Sequence, residues 1–201
     1  MRQLIATLLA LTTLSTLSAQ TTAEEWVSAL NATLGERYAT HIVVEASGME
    51  TMQGYFMVEG DSYYLTLGVM EVYSDGELRY EINNERKEVV EDRVVLDSRD
   101  LLSNPTRAFD FVAEEYNIEV VGVPSEDVQL RITSKSEADE GMTIYLVLRR
   151  TASGVEPCSV TYDYGGDSYT VSLSVVRSED MTKLPRWDKG AYRAYDIVSF
   201  L

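Results

Sequence analysis

The sequence predicts a mainly β protein: an antiparallel sheet of about eleven strands, curled into a barrel or half-barrel beneath a few helical turns. Three observations predict this fold. Most of the chain alternates apolar and polar residues, which is the period of a strand with one buried face. Turn residues interrupt the alternation about every 8–10 residues, a spacing typical of hairpins. Only two stretches show helical spacing.

The first helix is predicted at residues 21–37. Thr22 and Glu25 have the spacing of a capping box, in which each side chain accepts a hydrogen bond from a free backbone N–H of the first turn. Trp26 and Leu30 follow on one face and begin an apolar stripe. We therefore expect this helix to cover one face of the sheet.

Six strands follow the helix as an antiparallel meander, and five more follow a central break. The predicted strands of the first group are residues 41–46, 53–59, 62–67, 69–74, 77–83 and 87–92. Those of the second group are residues 118–121, 128–133, 142–149, 156–163 and 168–176. The apolar end, residues 184–201, is predicted to form a last strand or an extended arm.

The central break, residues 98–116, is predicted to contain two short helical pieces joined at Asn104. Asn104 followed by Pro105 is typical of a helix start, and Leu101 and Leu102 precede it. The residues expected on one face of the second piece are Phe109, Val112, Ala113 and Tyr116.

Alternation also predicts which strand residues share the inner face of the sheet. These sets are Phe56 with Val58; Tyr63 with Leu65 and Leu67; Met70 with Val72; Leu78 with Tyr80 and Ile82; and Ile144 with Leu146 and Leu148. With 13 Tyr and 7 Met but only 4 Phe, the walls are apolar and adaptable. Two interpretations stay open: the sets fill a packed core, or they line a cavity. An error of one residue in register would invert any of these faces.

Composition excludes several classes of function. The 201 residues carry a net charge of −16, which disfavours binding to nucleic acid or to anionic lipid headgroups. One His and one Cys cannot build a tetrahedral His/Cys zinc site or an intramolecular disulfide. His41 and Cys158 lie in predicted strands, and no Gly-x-Ser-x-Gly motif is present. The sequence thus predicts a protein that is not an enzyme and has no cofactor.

Residues 1–19 have the layout of a secretory signal peptide. Arg2 precedes an apolar run of about 14 residues, and Ser18 and Ala19 close it. The alternative is an N-terminal membrane anchor, but a spanning helix needs about 20 apolar residues. We therefore predict cleavage after Ala19, export to the periplasm, and one soluble domain over residues 20–201.

Several motifs occur in the order found in one known family. Residues 53–65 give a glycine strand, a turn and an aromatic strand, and Ser74-Asp75-Gly76 follows with Leu78 and Tyr80. A central segment with Asn104 and two late stretches, residues 163–166 and 187–198, complete the order. In these features, over almost all of residues 20–201, the sequence resembles the outer-membrane lipoprotein carrier protein family (LolA-like).

The resemblance implies an incomplete β-barrel whose apolar cavity lies under a helical lid. Family members carry the acyl chains of lipoproteins across the periplasm toward the outer membrane, without covalent chemistry. The implied partners are the acylated lipoprotein or lipid cargo, an inner-membrane release transporter and an outer-membrane acceptor, and the implied state is a monomer. The residues that would face the cavity from the lid side are Trp26, Leu30, Leu101, Leu102, Phe109 and Val112.

The sequence departs from the family at one functional position. Many members place an Arg after the glycine strand, where it bonds carbonyl groups of the lid and holds the empty form shut. Gly60 occupies that position here, so the latch is missing or is supplied elsewhere. The departure leaves open a lipid- or lipoprotein-binding relative that serves a different client. A second hypothesis, which the acidic surface would serve equally well, is a periplasmic sensor or assembly module on the same fold that binds a protein partner rather than lipid.

Overall fold

The computed structural model describes residues 21–122, 127–136 and 141–201, and the predicted signal peptide lies outside these ranges. Within them the chain forms one α-helix, α1 (Ala23–Leu34), and twelve strands. The strands are β1 (Arg37–Ala46), β2 (Met52–Glu59), β3 (Ser62–Leu67), β4 (Met70–Ser74), β5 (Leu78–Asn83), β6 (Glu88–Arg93), β7 (Tyr116–Gly122), β8 (Asp127–Ser134), β9 (Met142–Thr151), β10 (Gly154–Tyr164), β11 (Ser168–Val175) and β12 (Asp196–Ser199). All eleven predicted strands and the terminal arm are confirmed, with ends that differ by a few residues.

All twelve strands belong to one open sheet in the order β12-β6-β5-β4-β3-β2-β1-β11-β10-β9-β8-β7. Neighbours are antiparallel except β12, which runs parallel to β6. Strand β1 joins the halves because it pairs with β2 on one side and with β11 on the other. The mainly β, incomplete-barrel prediction is therefore confirmed.

Helix α1 begins at the predicted capping box. The Thr22 backbone N–H donates to Glu25 Oε2 at 2.8 Å, and the Glu25 N–H donates to Thr22 Oγ1 at 3.2 Å. The helix packs on β10 and β7, and it buries Trp26 and Leu30 against the sheet. Its apolar stripe thus covers one end of the inner face.

The segment between β6 and β7, residues 94–115, is called the lid segment here. The predicted helix start at Asn104 and Pro105 is confirmed, but only as a short 3-10 helix, Pro105–Arg107. The first predicted piece does not form, and the rest of the segment consists of turns and irregular backbone.

Asp100 begins a turn as an N-cap does: its Oδ1 accepts the backbone N–H groups of Leu102 and Ser103 at 2.8 and 3.1 Å, and its carbonyl oxygen accepts the Asn104 N–H at 2.8 Å. The turn does not continue as a helix because Pro105 has no N–H to donate.

The inner face of the sheet is the face that carries the main core, and its register fixes which residues point there. Tyr63, Leu65 and Leu67 of β3 lie opposite Ser74, Val72 and Met70 of β4. Gly54 sits in the same cross-strand row, next to Leu67. A Cβ at Gly54 would lie 2.1 Å from the Thr66 carbonyl oxygen, so this close approach between β2 and β3 requires glycine.

The outer face is covered by the C-terminal arm, residues 176–201. One cross-strand row of residues on this face runs over the five strands β1 to β5. It begins with Ala39 and Met57 and continues with three tyrosines. Those tyrosines are Tyr64, Tyr73 and Tyr80. Leu184 of the arm is buried against Ala39 and Met57. Trp187 stacks between the rings of Tyr80 and Tyr192, with centroid distances of 4.5 and 5.0 Å.

The carboxylate of Glu71 organises the outer face. It accepts hydrogen bonds from Asn84 Nδ2 at 2.6 Å and from three tyrosine hydroxyls at 3.0–3.3 Å. These hydroxyls belong to Tyr73, Tyr64 and Tyr192. Desolvation acts against the charge of Glu71, but the hydrogen bonds outweigh it and lower the pKa of the carboxyl group. The arm is thus tied to the sheet by a charged acceptor.

No helix in the described ranges combines the length and the apolar composition that crossing a bilayer requires.

Candidate ligand-binding site

Most of the predicted cavity residues meet in one buried cluster on the inner face. Its buried members from the prediction are Trp26, Leu30, Phe56, Val58, Tyr63, Leu65, Val72, Leu101, Phe109, Ile144 and Leu146. Leu67 and Leu102 are partly buried and pack against this cluster. Strands from both halves of the chain, helix α1 and the lid segment therefore surround a shared apolar interior.

Four predicted residues lie outside this cluster. Leu78 and Tyr80 are on the outer face, and the prediction for them is wrong: the register sets Arg79 and Glu81 opposite Ser74 and Val72, so the inner face becomes polar at β5. Tyr80 packs on Trp187 of the arm instead.

The other two residues, Met70 and Val112, differ in how far they are exposed. Met70 is half-buried and shares the inner face with Leu67, but it does not reach the cluster. Val112 is 40% exposed, so its expected position facing the interior is wrong. The helix that would have turned Val112 inward does not form, and the chain runs on toward β7.

The lid segment is fastened to the inner face by tyrosine hydroxyls. The Tyr38 hydroxyl donates to the Pro105 carbonyl oxygen at 2.9 Å, and the Tyr63 hydroxyl donates to that of Ser103 at 3.2 Å. The Tyr162 hydroxyl donates to the Arg99 carbonyl oxygen at 3.0 Å and accepts the Leu101 N–H at 2.8 Å.

These bonds also join the two halves of the sheet through one short segment. Tyr63 in β3 and Tyr162 in β10 are four strand steps apart in the sheet. Their hydroxyls bond to carbonyl groups only four residues apart in the lid segment. The lid segment therefore bridges both halves of the inner face.

Burial keeps these hydroxyls protonated. Desolvation raises the pKa of Tyr38 and of Tyr162, since removal of water disfavours the phenolate. It also raises the pKa of Tyr63, although the charge of Arg79 opposes the shift. At neutral pH all three are hydrogen-bond donors.

A second fastening lies at Asp100. Its Oδ2 accepts hydrogen bonds from the hydroxyls of Tyr169 and Tyr164, the latter at 3.3 Å. The ring of Tyr169 is stacked on that of Tyr162, with centroids 5.0 Å apart. Two neighbouring strands, β10 and β11, thereby hold the start of the lid segment through one carboxylate.

Arg99 ties the lid segment to itself. Its side chain is 5% exposed, and its Nε donates to the Asp110 carbonyl oxygen at 2.7 Å. Nη2 pairs with Glu115 Oε2 at 3.2 Å. Gly60, by contrast, lies in the turn between β2 and β3. The guanidinium that bonds lid carbonyl groups is therefore supplied from within the lid segment.

An apolar cleft of about 200 Å³ opens beside the lid segment. It lies between Leu102, the turn that joins β1 to β2, and Tyr169 of β11. Its lining residues are Val44, Ala46, Met49, Glu50, Met52, Leu102 and Tyr169. Val44 belongs to the buried cluster, and Met52, Leu102 and Tyr169 pack against it, so the cleft borders the apolar interior.

A larger groove, about 550 Å³, lies elsewhere, near the C-terminal end of α1. Charged side chains line much of it, including Arg37, Glu156 and Arg177. Such walls suit polar groups or water rather than hydrocarbon. The described residues hold no group of three or more His, Cys, Asp or Glu side chains arranged for a metal ion. The smaller cleft is therefore the better candidate site for an apolar ligand.

Fold and site together define a class: an incomplete antiparallel β-barrel with a lidded apolar interior. No protein-family profile matches the sequence, and no curated protein is significantly similar. Among solved structures, an uncharacterized conserved protein from Thermus thermophilus matches with a TM-score of 0.52 and 9% identity, over 88% of this chain and 98% of that one. This likeness concerns the fold alone.

Two further structures match at lower scores. A LolA superfamily protein, NE2245 from Nitrosomonas europaea, has a TM-score of 0.37 and 10% identity, over 85% of this chain and 97% of its own. MucB in complex with MucA(peri) has a TM-score of 0.38 and 17% identity, over 79% of this chain and 58% of its own. Scores this low carry no argument about this chain.

Four of the residues that fasten the lid segment were not predicted from the sequence: Tyr38, Tyr162, Tyr169 and Arg99. A signal for the tyrosines existed in the excess of 13 Tyr over 4 Phe, because a buried Tyr needs a partner for its hydroxyl. That partner lies on a segment 61–69 residues away along the chain, so no local pattern identifies it.

Proposed function

We propose that this protein is a periplasmic carrier or chaperone that binds the acyl chains of a lipoprotein, or of another lipid, in the apolar interior beneath the lid segment. The observation that carries the proposal is the apolar cleft at Leu102, which is continuous with the buried cluster. Each methylene group moved from water into such a site is stabilised by about 0.8 kcal/mol.

The lid segment must move for a ligand to enter. The cleft of about 200 Å³ is smaller than the roughly 300–1,000 Å³ of a typical small-molecule site. The interior behind it is filled by fully buried residues such as Leu101 and Leu146. An acyl chain would therefore replace lid side chains, and the closed structure would be the empty state.

The lid segment is suited to such an exchange. It has no α-helix or strand of its own, and it is fastened to the sheet by hydroxyl–carbonyl bonds and by four buried apolar side chains, Leu101, Ala108, Phe109 and Phe111. A closed state held by a few specific bonds can be similar in free energy to an open, ligand-bound state. Binding and release would then need no covalent chemistry.

The surface charge suggests how such a carrier meets its partners. With a net charge of −16, the protein would be repelled by anionic membranes and attracted to basic patches on a transporter or an acceptor. These partners, and the periplasmic location, rest on the family resemblance and on the predicted signal peptide. Docking of this kind weakens steeply with salt.

The test is uptake of a fluorescent diacylated lipopeptide by the purified mature protein, with lipid analysis of the protein isolated from its own periplasm. We expect saturable uptake, and Leu102→Glu should reduce it more than about tenfold because a charge would enter the apolar cleft. Leu96→Glu is the matched control, since Leu96 is 59% exposed and should leave uptake unchanged. Absence of both uptake and co-purified lipid would refute the proposal.

The alternative, a module that binds a protein partner, is favoured by one observation. Strand β12 is the sheet edge next to β6, and Ile197, Val198 and Phe200 are 37–66% exposed there. Such an edge can pair with an extended apolar peptide, and Glu88 and Asp196 beside it favour basic flanking residues. Binding that Val198→Lys abolishes, and Val121→Lys on the opposite edge strand β7 does not, would indicate this function.

A further inference from the structure

We infer that the interior selects acyl ligands whose chains are attached through ester or amide carbonyl groups, and that the hydroxyls of Tyr38, Tyr63 and Tyr162 recognise those carbonyls. The inference rests on the proposed function and narrows its ligand class. It starts from what the lid segment does in the closed structure, where its backbone supplies three carbonyl groups to three buried donors.

The three donors belong to the sheet and not to the lid segment. They come from β1, β3 and β10, and the exposed fractions of these tyrosines are 8%, 1% and 0%. Their rings are held by sheet neighbours: Tyr38 lies edge-on against Phe56 at 5.8 Å, and Tyr162 stacks on Tyr169. The hydroxyls therefore keep their places when the lid segment moves away.

Movement of the lid segment removes the acceptors at Arg99, Ser103 and Pro105. A buried donor left without an acceptor is strongly unfavourable, and a hydrocarbon chain offers none. An ester or amide carbonyl offers the same kind of acceptor as the peptide carbonyl that it replaces. A ligand with such linkages would thus restore the lost hydrogen bonds, while its chains fill the space left by Leu101 and Phe109.

The predicted selectivity is therefore for the linkage and not only for the chain. A diacyl lipid and the dialkyl ether lipid of equal chain length and headgroup bury almost the same apolar area. They differ in the two carbonyl oxygens, whose two lone pairs each give enough acceptor sites for the three hydroxyls. Hydrogen bonds to neutral acceptors of this kind change affinity by roughly tenfold in total. The wild-type protein should prefer the diacyl lipid by about that factor.

The experiment measures affinities for these two lipids by displacement of a fluorescent fatty-acyl probe from the full mature protein. The variants are Tyr38→Phe, Tyr63→Phe and Tyr162→Phe, singly and together. Each single variant should lower the diacyl/dialkyl affinity ratio by about two- to threefold, and the combined variant should bring it near one. Tyr145→Phe, on the opposite face of β9 from the buried Ile144 and Leu146, is the matched control and should keep the wild-type ratio.

The outcomes separate the two claims. If neither lipid displaces the probe, the proposed function fails. If both lipids bind equally well to the wild type, or if the single Tyr→Phe variants keep the wild-type ratio, the function stands and the inference of carbonyl recognition is wrong. Should the combined variant not fold, the single variants decide, and Tyr63→Phe is the mildest because its hydrogen bond is the longest of the three, 3.2 Å.

Discussion

The two faces of the sheet each hold a distant part of the chain with tyrosine hydroxyls, but in different ways. On the inner face, buried hydroxyls donate to neutral backbone carbonyls of the lid segment. On the outer face, half-buried hydroxyls converge on the Glu71 carboxylate beneath the arm. Water can replace a lost partner on the outer face and cannot do so in the dry interior.

The hydroxyl bonds on the inner face can therefore respond to a ligand, whereas those on the outer face only support the sheet. Breaking the inner bonds is costly unless another acceptor takes their place, so the state of the lid segment is coupled to what occupies the interior. The outer bonds have no such coupling, since Trp187 and Glu71 lie on the opposite face of the sheet from the cleft. The following predictions test this contrast, beginning with the largest effect.

The largest expected effect comes from removing one hydroxyl on each face. Tyr162→Phe leaves both the Leu101 N–H and the Arg99 carbonyl group without their partner in a buried site, and should lower the free energy of unfolding by about 3 kcal/mol. Tyr73→Phe is the matched outer change and should cost less than about 1 kcal/mol. Urea denaturation measures both, and equal losses would contradict the contrast.

Trp187→Ala should weaken the outer face alone. It removes two stacked contacts, with Tyr80 and Tyr192, and we expect a loss of about 2 kcal/mol. Hydrogen exchange should show faster exchange of the Asp196 and Phe200 amides, which bond to β6 and the turn before it. The Leu101 amide, bonded to Tyr162, should keep its protection; faster exchange there would mean that the two faces are coupled.

The hydrogen bonds on the two faces should also lose their contribution to stability at opposite ends of the pH range. The pKa of Tyr162 is raised by burial, so its contribution to stability is complete below the unfolded-state pKa near 10 and is lost as the pH rises above it. The free energy of unfolding should fall by about 1.4 kcal/mol per pH unit for each such group above about pH 10. Tyr162→Phe should reduce this slope by the contribution of one titrating group, about 1.4 kcal/mol per pH unit.

At acid pH the outer face should respond first. The pKa of Glu71 is lowered, so its contribution is present above its ordinary value of 4.5 and is lost as the pH falls through the folded-state pKa. We expect Trp187 fluorescence to change below about pH 4.5, before the main unfolding transition. Glu71→Gln should remove this early step, and an unchanged profile in that variant would assign it to another group.

Local patterns in the sequence predicted most of the fold. Alternation with turn residues located all the strands, because the period of side-chain direction is a property of the strand itself. Strand β3 was predicted with the same ends as observed. The capping box of Thr22 and Glu25 marked the start of α1 correctly, since its bonds join residues three positions apart.

Interactions between distant segments explain the errors. Alternation shows that Leu78 and Tyr80 share a face, but the arm, more than a hundred residues later, makes the outer face apolar there. The helical spacing in residues 98–116 was outweighed by Pro105, which has no N–H to continue the turn that begins at Asp100, and by hydroxyls from β1, β3 and β10. Propensity gives way where tertiary hydrogen bonds satisfy the same backbone groups.

The sequence by itself therefore determined a single acidic chain with a capped helix, a sheet of hairpin-connected strands and an apolar inner face. Only the tertiary structure decided that a segment of turns closes the interior, that tyrosine hydroxyls hold it, and that Arg99 ties this segment to itself. The physical reason is the range of the interactions. Backbone geometry acts over a few residues, whereas a buried hydroxyl bonds to whichever acceptor the curled sheet brings within about 3 Å.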